Sequence, residues 1–114
     1  MSEELEKIEI SIDHAKKLIA RRECLTRLQN NPDWKELIAK GFLESHAVRQ
    51  VMLKSNPGLQ EDKFQKALDN QIIAIGGFQQ YLIAIENEGK NAIFALQADE
   101  ETREELLKEE LTNG

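Results

Sequence analysis

The stretch Asp69-Asn-Gln-Ile-Ile-Ala-Ile-Gly-Gly-Phe-Gln-Gln-Tyr-Leu-Ile-Ala-Ile85 is the most apolar run in an otherwise charged chain, and it constrains everything around it. On a helix covering 64–96, Phe64, Leu68, Ile75, Phe78, Leu82, Ile85, Ile93 and Leu96 gather along one side at spacings of three, four and seven. Such a side needs a partner helix. A second set, Ile73, Gly77, Tyr81 and Ala84, lies across the helix from the first. A helix with apolar surface on two sides is usually buried on two sides, and a chain of 114 residues has trouble supplying both covers. The second stripe is therefore a candidate protein interface, and a homo-oligomer is expected. Covering it with another helix would remove about 200–300 Å² of apolar surface per chain, or ~5–8 kcal/mol before ordering costs.

The partner helix is found at the other end of the sequence. Leu5, Ile8, Ile12, Ala15 and Ile19 alternate at three and four, and Leu18, Leu25 and Leu28 widen the stripe, so 3–29 reads as a long helix. Ile8, Ile10 and Ile12 also alternate with period two, which leaves a short strand at 7–12 as the other reading; no second convincing strand exists to pair with it. Between the long helices, Asn31 can cap a short helix with Pro32 in its first turn. Trp34, Leu37 and Ile38 form its buried side and Gly41 its end. A second short helix follows at 44–54 with Val48, Val51, Met52 and Leu53 as apolar positions, and Asn56-Pro57-Gly58 is the clearest turn.

The expected fold is all-α: one helical domain, 1–114, with an antiparallel hairpin of 3–29 and about 60–97 joined by short helices at about 32–40 and 44–54. Gly76-Gly77 suggests a kink or a place where another backbone comes close, the latter preferred. Gly89 is expected to end or bend the helix. Asp99 then caps an acidic C-terminal helix with Leu106, Leu107 and Leu111 as contacts, which folds back or reaches a neighbour, and 112–114 is a tail.

Charge is unevenly spread. The net −6 divides into −4 over residues 1–13, +5 over 14–54, −2 over 55–98 and −5 over 99–114. A basic block between acidic ends suggests that the ends fold back onto it, within or between chains. Lys16, Lys17, Arg21, Arg22 and Arg27 are the candidate charged-ligand surface, for an acidic protein or nucleic acid; the plainer readings are contact with the acidic C-terminal helix or simple solubility. Bulk charge disfavours nucleic acid, since neutralising phosphates takes a surplus of Lys and Arg.

Motifs for chemistry are few, and no enzyme, cofactor or metal role is expected. His14 and His46 have no His or Cys at i+3 or i+4 to make a metal edge. The glycine pair lies within an apolar helix, not in a strand-to-helix loop that could cradle phosphates. Cys24 is alone, which excludes an internal disulfide, and beside Leu25 and Leu28 it reads as a small buried hydrophobe. Trp34, Phe42, Phe78 and Tyr81 are explained by core packing; any that prove exposed become interface anchors, and Trp34 and Phe42 join the candidate interface on that ground. The 72–85 run is short of the ~20 apolar residues of a membrane span, and the N-terminus does not read as a targeting peptide, so the chain is expected to be soluble and cytoplasmic.

The pattern Leu28…Asn31-Pro-Asp-Trp-Lys-Glu-Leu-Ile38, Gly41-Phe-Leu…Ala47-Val-Arg49, Ile73-Ala-Ile-Gly-Gly-Phe78…Tyr81-Leu82 resembles small, mostly uncharacterised helical proteins of tailed bacteriophages. The resemblance covers roughly residues 25–105 and consists of packing-type residues, so no site is carried over. It implies a viral origin, a place in the host cytoplasm or the virion, and work in virion assembly through helix packing, with phage or host proteins as partners. A small inhibitor or adaptor of a host protein and a regulatory nucleic-acid binder stay open as alternatives.

Overall fold

The computed structural model describes residues 2–113. It is all-α. Helix α1 covers Glu3–Gln29; α2 (Pro32–Trp34) runs straight into a π-helix (Lys35–His46) and then α3 (Ala47–Leu53). A 3-10 turn at Pro57–Leu59 leads into α4, Asp62–Asn113, which is 52 residues long. Residues 7–12 lie within α1, so the strand reading of that stretch is excluded.

Side-chain caps set the boundaries. Ser2 Oγ accepts from the Leu5 N–H at 3.1 Å and caps α1. As expected, Asn31 Oδ1 accepts from the Asp33 N–H at 2.8 Å with Pro32 behind it, and Asn56 Oδ1 receives the Gly58 N–H at 2.8 Å. The carbonyls left open after α3 go to two amides: Gln60 Nε2 donates to Lys54 and Asn56, and Gln65 Nε2 to Lys54 and Leu59.

Backbone contacts group the residues into two compact units, and the division falls inside α1 and α4. One unit holds Met1–Leu25 with Ile85–Gly114, the other Thr26–Ala84.

The first unit is an antiparallel helix pair. Leu5, Ile12, Ala15 and Leu25 are buried on α1, and Gly89 and Ala92 on α4, with Ile85, Leu96 and Leu106 half-buried. On α4 these follow the alternation 85, 89, 92, 96, 99, 103, 106, a heptad seam. Three cross-links hold the register: Arg22 Nε to Glu86 Oε1 at 3.0 Å, Ser11 Oγ to Asp99 Oδ2 at 2.5 Å, and Arg103 Nη1 to Glu9 Oε1 at 3.4 Å.

Several expectations change here. Gly89 neither ends nor bends the helix; it is where α1 comes close, and a Cβ there would lie within 3.0 Å of Arg22 Cβ, Cγ and Cδ. Within the chain, Gly76 and Gly77 mark no close approach, and a Cβ at either would meet nothing within 4 Å. Asp99 is not a cap but a mid-helix residue receiving the Ser11 hydroxyl, so the acidic segment is the end of α4 itself and does not fold back. Of the expected tail, Thr112 and Asn113 continue the helix, and Gly114 lies outside the described residues. Ile93, placed on the buried side, is 41% exposed, because the 3.5-residue seam chooses Ala92. Cys24 is exposed rather than buried: the seam takes Arg22 and Leu25 and turns the thiol outward.

In the second unit Leu68, Ile75 and Leu82 are buried on α4, with Phe64 and Phe78 half-buried beside them. The two expected short helices are one continuous helical run over 32–53, and Gly41 is not a terminus. Trp34, Ile38, Phe42 and His46 recur every four residues and are all half-buried. In an α-helix four residues overshoot a turn by about 40°, so such a row would wind away from its partner. Wider turns with i→i+5 bonds keep it nearly in line. The same rotation leaves Leu37, Val48, Val51 and Met52 exposed, where the sequence placed them on buried sides.

The glycines give the first test. Gly89→Ala should lower the thermal midpoint, since overpacking of about 1–3 kcal/mol outweighs the ~1 kcal/mol gain in helix propensity. Gly76→Ala, with open space around it, should raise stability by about 1 kcal/mol. Thermal unfolding followed by circular dichroism reads both, and equal shifts for the two would refute the close approach at Gly89.

Candidate functional site

The residues that could act on another molecule are those the packing leaves outside. On α4 of the second unit, Leu68, Ile75 and Leu82 face inward, so Ile73, Gly77, Tyr81 and Ala84, set across the helix, face out. Ile73 is 70% and Tyr81 55% exposed, and Gly77 and Ala84 between and beyond them are exposed too. The helix run at 32–53 does not cover this stripe. Its aromatics go to the other side of α4.

There, Phe78 is the hub. Its ring meets Phe42 edge-on at 5.8 Å between centroids, with the planes at 83°, and Trp34 at 6.3 Å. Phe42 also stacks on His46, 5.8 Å away at 18°. Such pairs add about 0.5–1.5 kcal/mol each beyond the area they bury. Trp34 and Phe42 thus stand half-buried in a packing cluster, while Tyr81 is the exposed aromatic among the four. Lys54 Nζ, 2.5 Å from Asp69 Oδ1, ties the far end of the run to α4.

The basic residues divide between the two units, and one of them is turned inward. Lys16, Lys17 and Arg21 are exposed on α1 within the first unit. Arg22 is turned into the helix pair, where it is 30% exposed and ion-paired with Glu86. Arg27 is exposed on the part of α1 that belongs to the second unit. Within the chain, the acidic end of α4 does not meet this basic stretch. Glu9–Arg103 and Ser11–Asp99 put it beside the equally acidic start of α1.

Sequence reasoning missed the outward Leu37, Val48, Val51 and Met52 in the second unit, and Ile10, Phe94, Leu107 and Leu111 in the first. For the last group the signal was present: continuing the heptad past Gly89 puts Phe94 and Leu107 off the seam.

Among the described residues no three His, Cys, Asp or Glu side chains come together to hold a metal ion. His14 is exposed, and His46 is engaged with Phe42. No helix of the described residues is long and apolar enough to cross a membrane. The outward faces carry exposed apolar side chains, Ile73 and Tyr81 in the second unit and Phe94 and Leu111 in the first. Against protein-family models, curated proteins and solved structures, the chain gives no match.

Phe78→Ala tests the aromatic hub. It should destabilise the protein by about 2–4 kcal/mol and shift the emission of Trp34, the single tryptophan, to longer wavelength as water reaches the ring. Tyr81→Ala, on the exposed side, should leave that emission where it is; a shift of equal size from both would break the assignment of two distinct sides.

Proposed function

We propose that this is a non-enzymatic structural or assembly protein, of the kind found in tailed phages, that works by self-association through helix packing. The observation that carries this reading is the stripe Ile73, Gly77, Tyr81 and Ala84, exposed along a helix whose opposite side is already buried. Monomeric soluble proteins rarely leave contiguous apolar surface of this kind open. Tyr81 supplies the rigid aromatic anchor that interfaces favour, and Gly77 and Ala84 let a second helix come close. A homo-oligomer satisfies the stripe with a copy of itself, since an isologous contact needs one self-complementary patch. The phage part of the reading rests on the sequence resemblance, and mass spectrometry of purified particles tests it: a fixed copy number in the virion supports it, whereas absence from particles points to a host-directed role.

The contact itself is tested by sedimentation equilibrium in about 1 M salt, where a Debye length of ~3 Å suppresses charge contacts. The wild type should be oligomeric at tens of micromolar. Gly77→Leu should be a folded monomer, because the added side chain has room within its own chain but overpacks a helix seated on the stripe. A monomeric wild type ends the reading, and an unchanged oligomer in the variant moves the interface off this stripe.

A further inference from the structure

The first unit carries two features that the stripe does not use. Between α1 and α4 runs an open groove of about 260 Å³, floored by Ala15, Leu18, Ala92 and Ala95. At the end of α4, Leu107 and Leu111 stand 44% and 83% exposed, one helical turn apart on one face. They belong to turns near and past the start of α1. The cross-links pair residues whose numbers add to between 108 and 112, so Glu3 falls opposite 105–109.

We propose that the C-terminal turns of α4 from one copy, presenting Leu107 and Leu111, seat in the groove of a second copy, making a head-to-tail contact. Three alanines and Leu18 make the floor, and the alanines leave room for branched leucines arriving at i and i+4. Charge selects the occupant. Ser11, His14, Ala15 and Leu18 line the groove from α1, and the basic Lys17 and Arg21 lie exposed beside His14 and Leu18. The incoming segment, 99–113, carries seven acids and two bases, with Glu100, Glu104 and Glu110 on the face of its two leucines. Glu88, the one acid among the lining residues, has Lys108 of the segment to meet.

A molecule cannot fill its own groove. Leu107 lies twelve residues beyond Ala95 on the same uninterrupted helix, or about 18 Å along its axis. Donor and acceptor are different patches on the same molecule, so the contact is heterologous and generates a ring or a filament rather than a closed pair. This rests on the reading of an assembling protein but uses a different surface from the Ile73–Tyr81 stripe.

The experiment is sedimentation velocity on the full chain at low salt in the Gly77→Leu background, which removes the stripe contact. Species should grow with concentration and shrink as salt is raised. Adding Leu107→Ser with Leu111→Ser, or separately Ala95→Trp to fill the groove, should weaken association about tenfold or more. All three positions are exposed, and circular dichroism checks that each variant keeps its helix. Mixing the two variants restores one intact donor and one intact groove, so a 1:1 pair that grows no further is expected. Association undiminished by the leucine changes, or a mixture that stays monomeric, overturns the proposal. A Gly77→Leu parent that is monomeric at low salt overturns it while leaving the stripe reading standing. Low-salt growth unaffected by Gly77→Leu, with no oligomer in high salt, does the reverse.

Discussion

The first unit depends on how closely α1 approaches α4 at Gly89. With no Cβ at that position, the α4 backbone comes against the side chain of Arg22, a long charged residue that would otherwise hold two helices apart. Arg22 lies across the glycine and delivers its guanidinium to Glu86, so its apolar stem fills the seam while its charge is paired. On either side, Leu5, Ile12, Ala15, Leu25 and Ala92 can then pack at heptad spacing. Each fully buried leucine or isoleucine adds roughly 1.5–3 kcal/mol, so the close approach governs more energy than the ion pair it accommodates.

That ordering of energies explains the charge distribution. Opposite charges in sequence suggested that the acidic ends would fold onto the basic block, within the chain or between chains. Within the chain, the apolar seam fixes a register in which Asp99 and Arg103 lie beside Ser11 and Glu9 in the acidic start of α1. Exposed like charges repel by a few tenths of a kcal/mol per pair, too little to move a register that buries whole leucines. Glu9–Arg103 and the Ser11–Asp99 hydrogen bond ease the crowding locally. The consequence is a unit with one strongly acidic end and an exposed basic stretch elsewhere on α1, an uneven field suited to steering association.

In the second unit the π-helix decides which surfaces are exposed. Its wide turns align Trp34, Ile38, Phe42 and His46, and three of the four are tied into the aromatic cluster around Phe78. Gly41 fits this winding: a Cβ there would stand 3.0 Å from the Glu36 carbonyl oxygen five residues back, so a larger residue would press on the widened turn. With the aromatics committed to one side of α4, the stripe on its other side has no cover from residues 32–53.

The sequence by itself determined the helices, their caps and the apolar stripes. Asn31 with Pro32, Asn56 with Pro57, and the three-four alternation of Leu5, Ile8, Ile12 and Ala15 act through neighbours within a turn or two, and such local physics can be read in order along a chain. The stripe Ile73, Gly77, Tyr81 and Ala84 was legible for the same reason, since a helix fixes which residues share a face. Only the tertiary structure decided which partner each stripe received and which glycine was needed. Gly76, Gly77 and Gly89 look alike in sequence, yet only Gly89 has a side chain from a distant helix against it. The groove floored by Ala15, Leu18, Ala92 and Ala95, and the outward turn of Leu37, Val48, Val51 and Met52, were equally hidden. Both arise from register and helix winding, set by contacts between residues dozens of positions apart, and no local pattern records those.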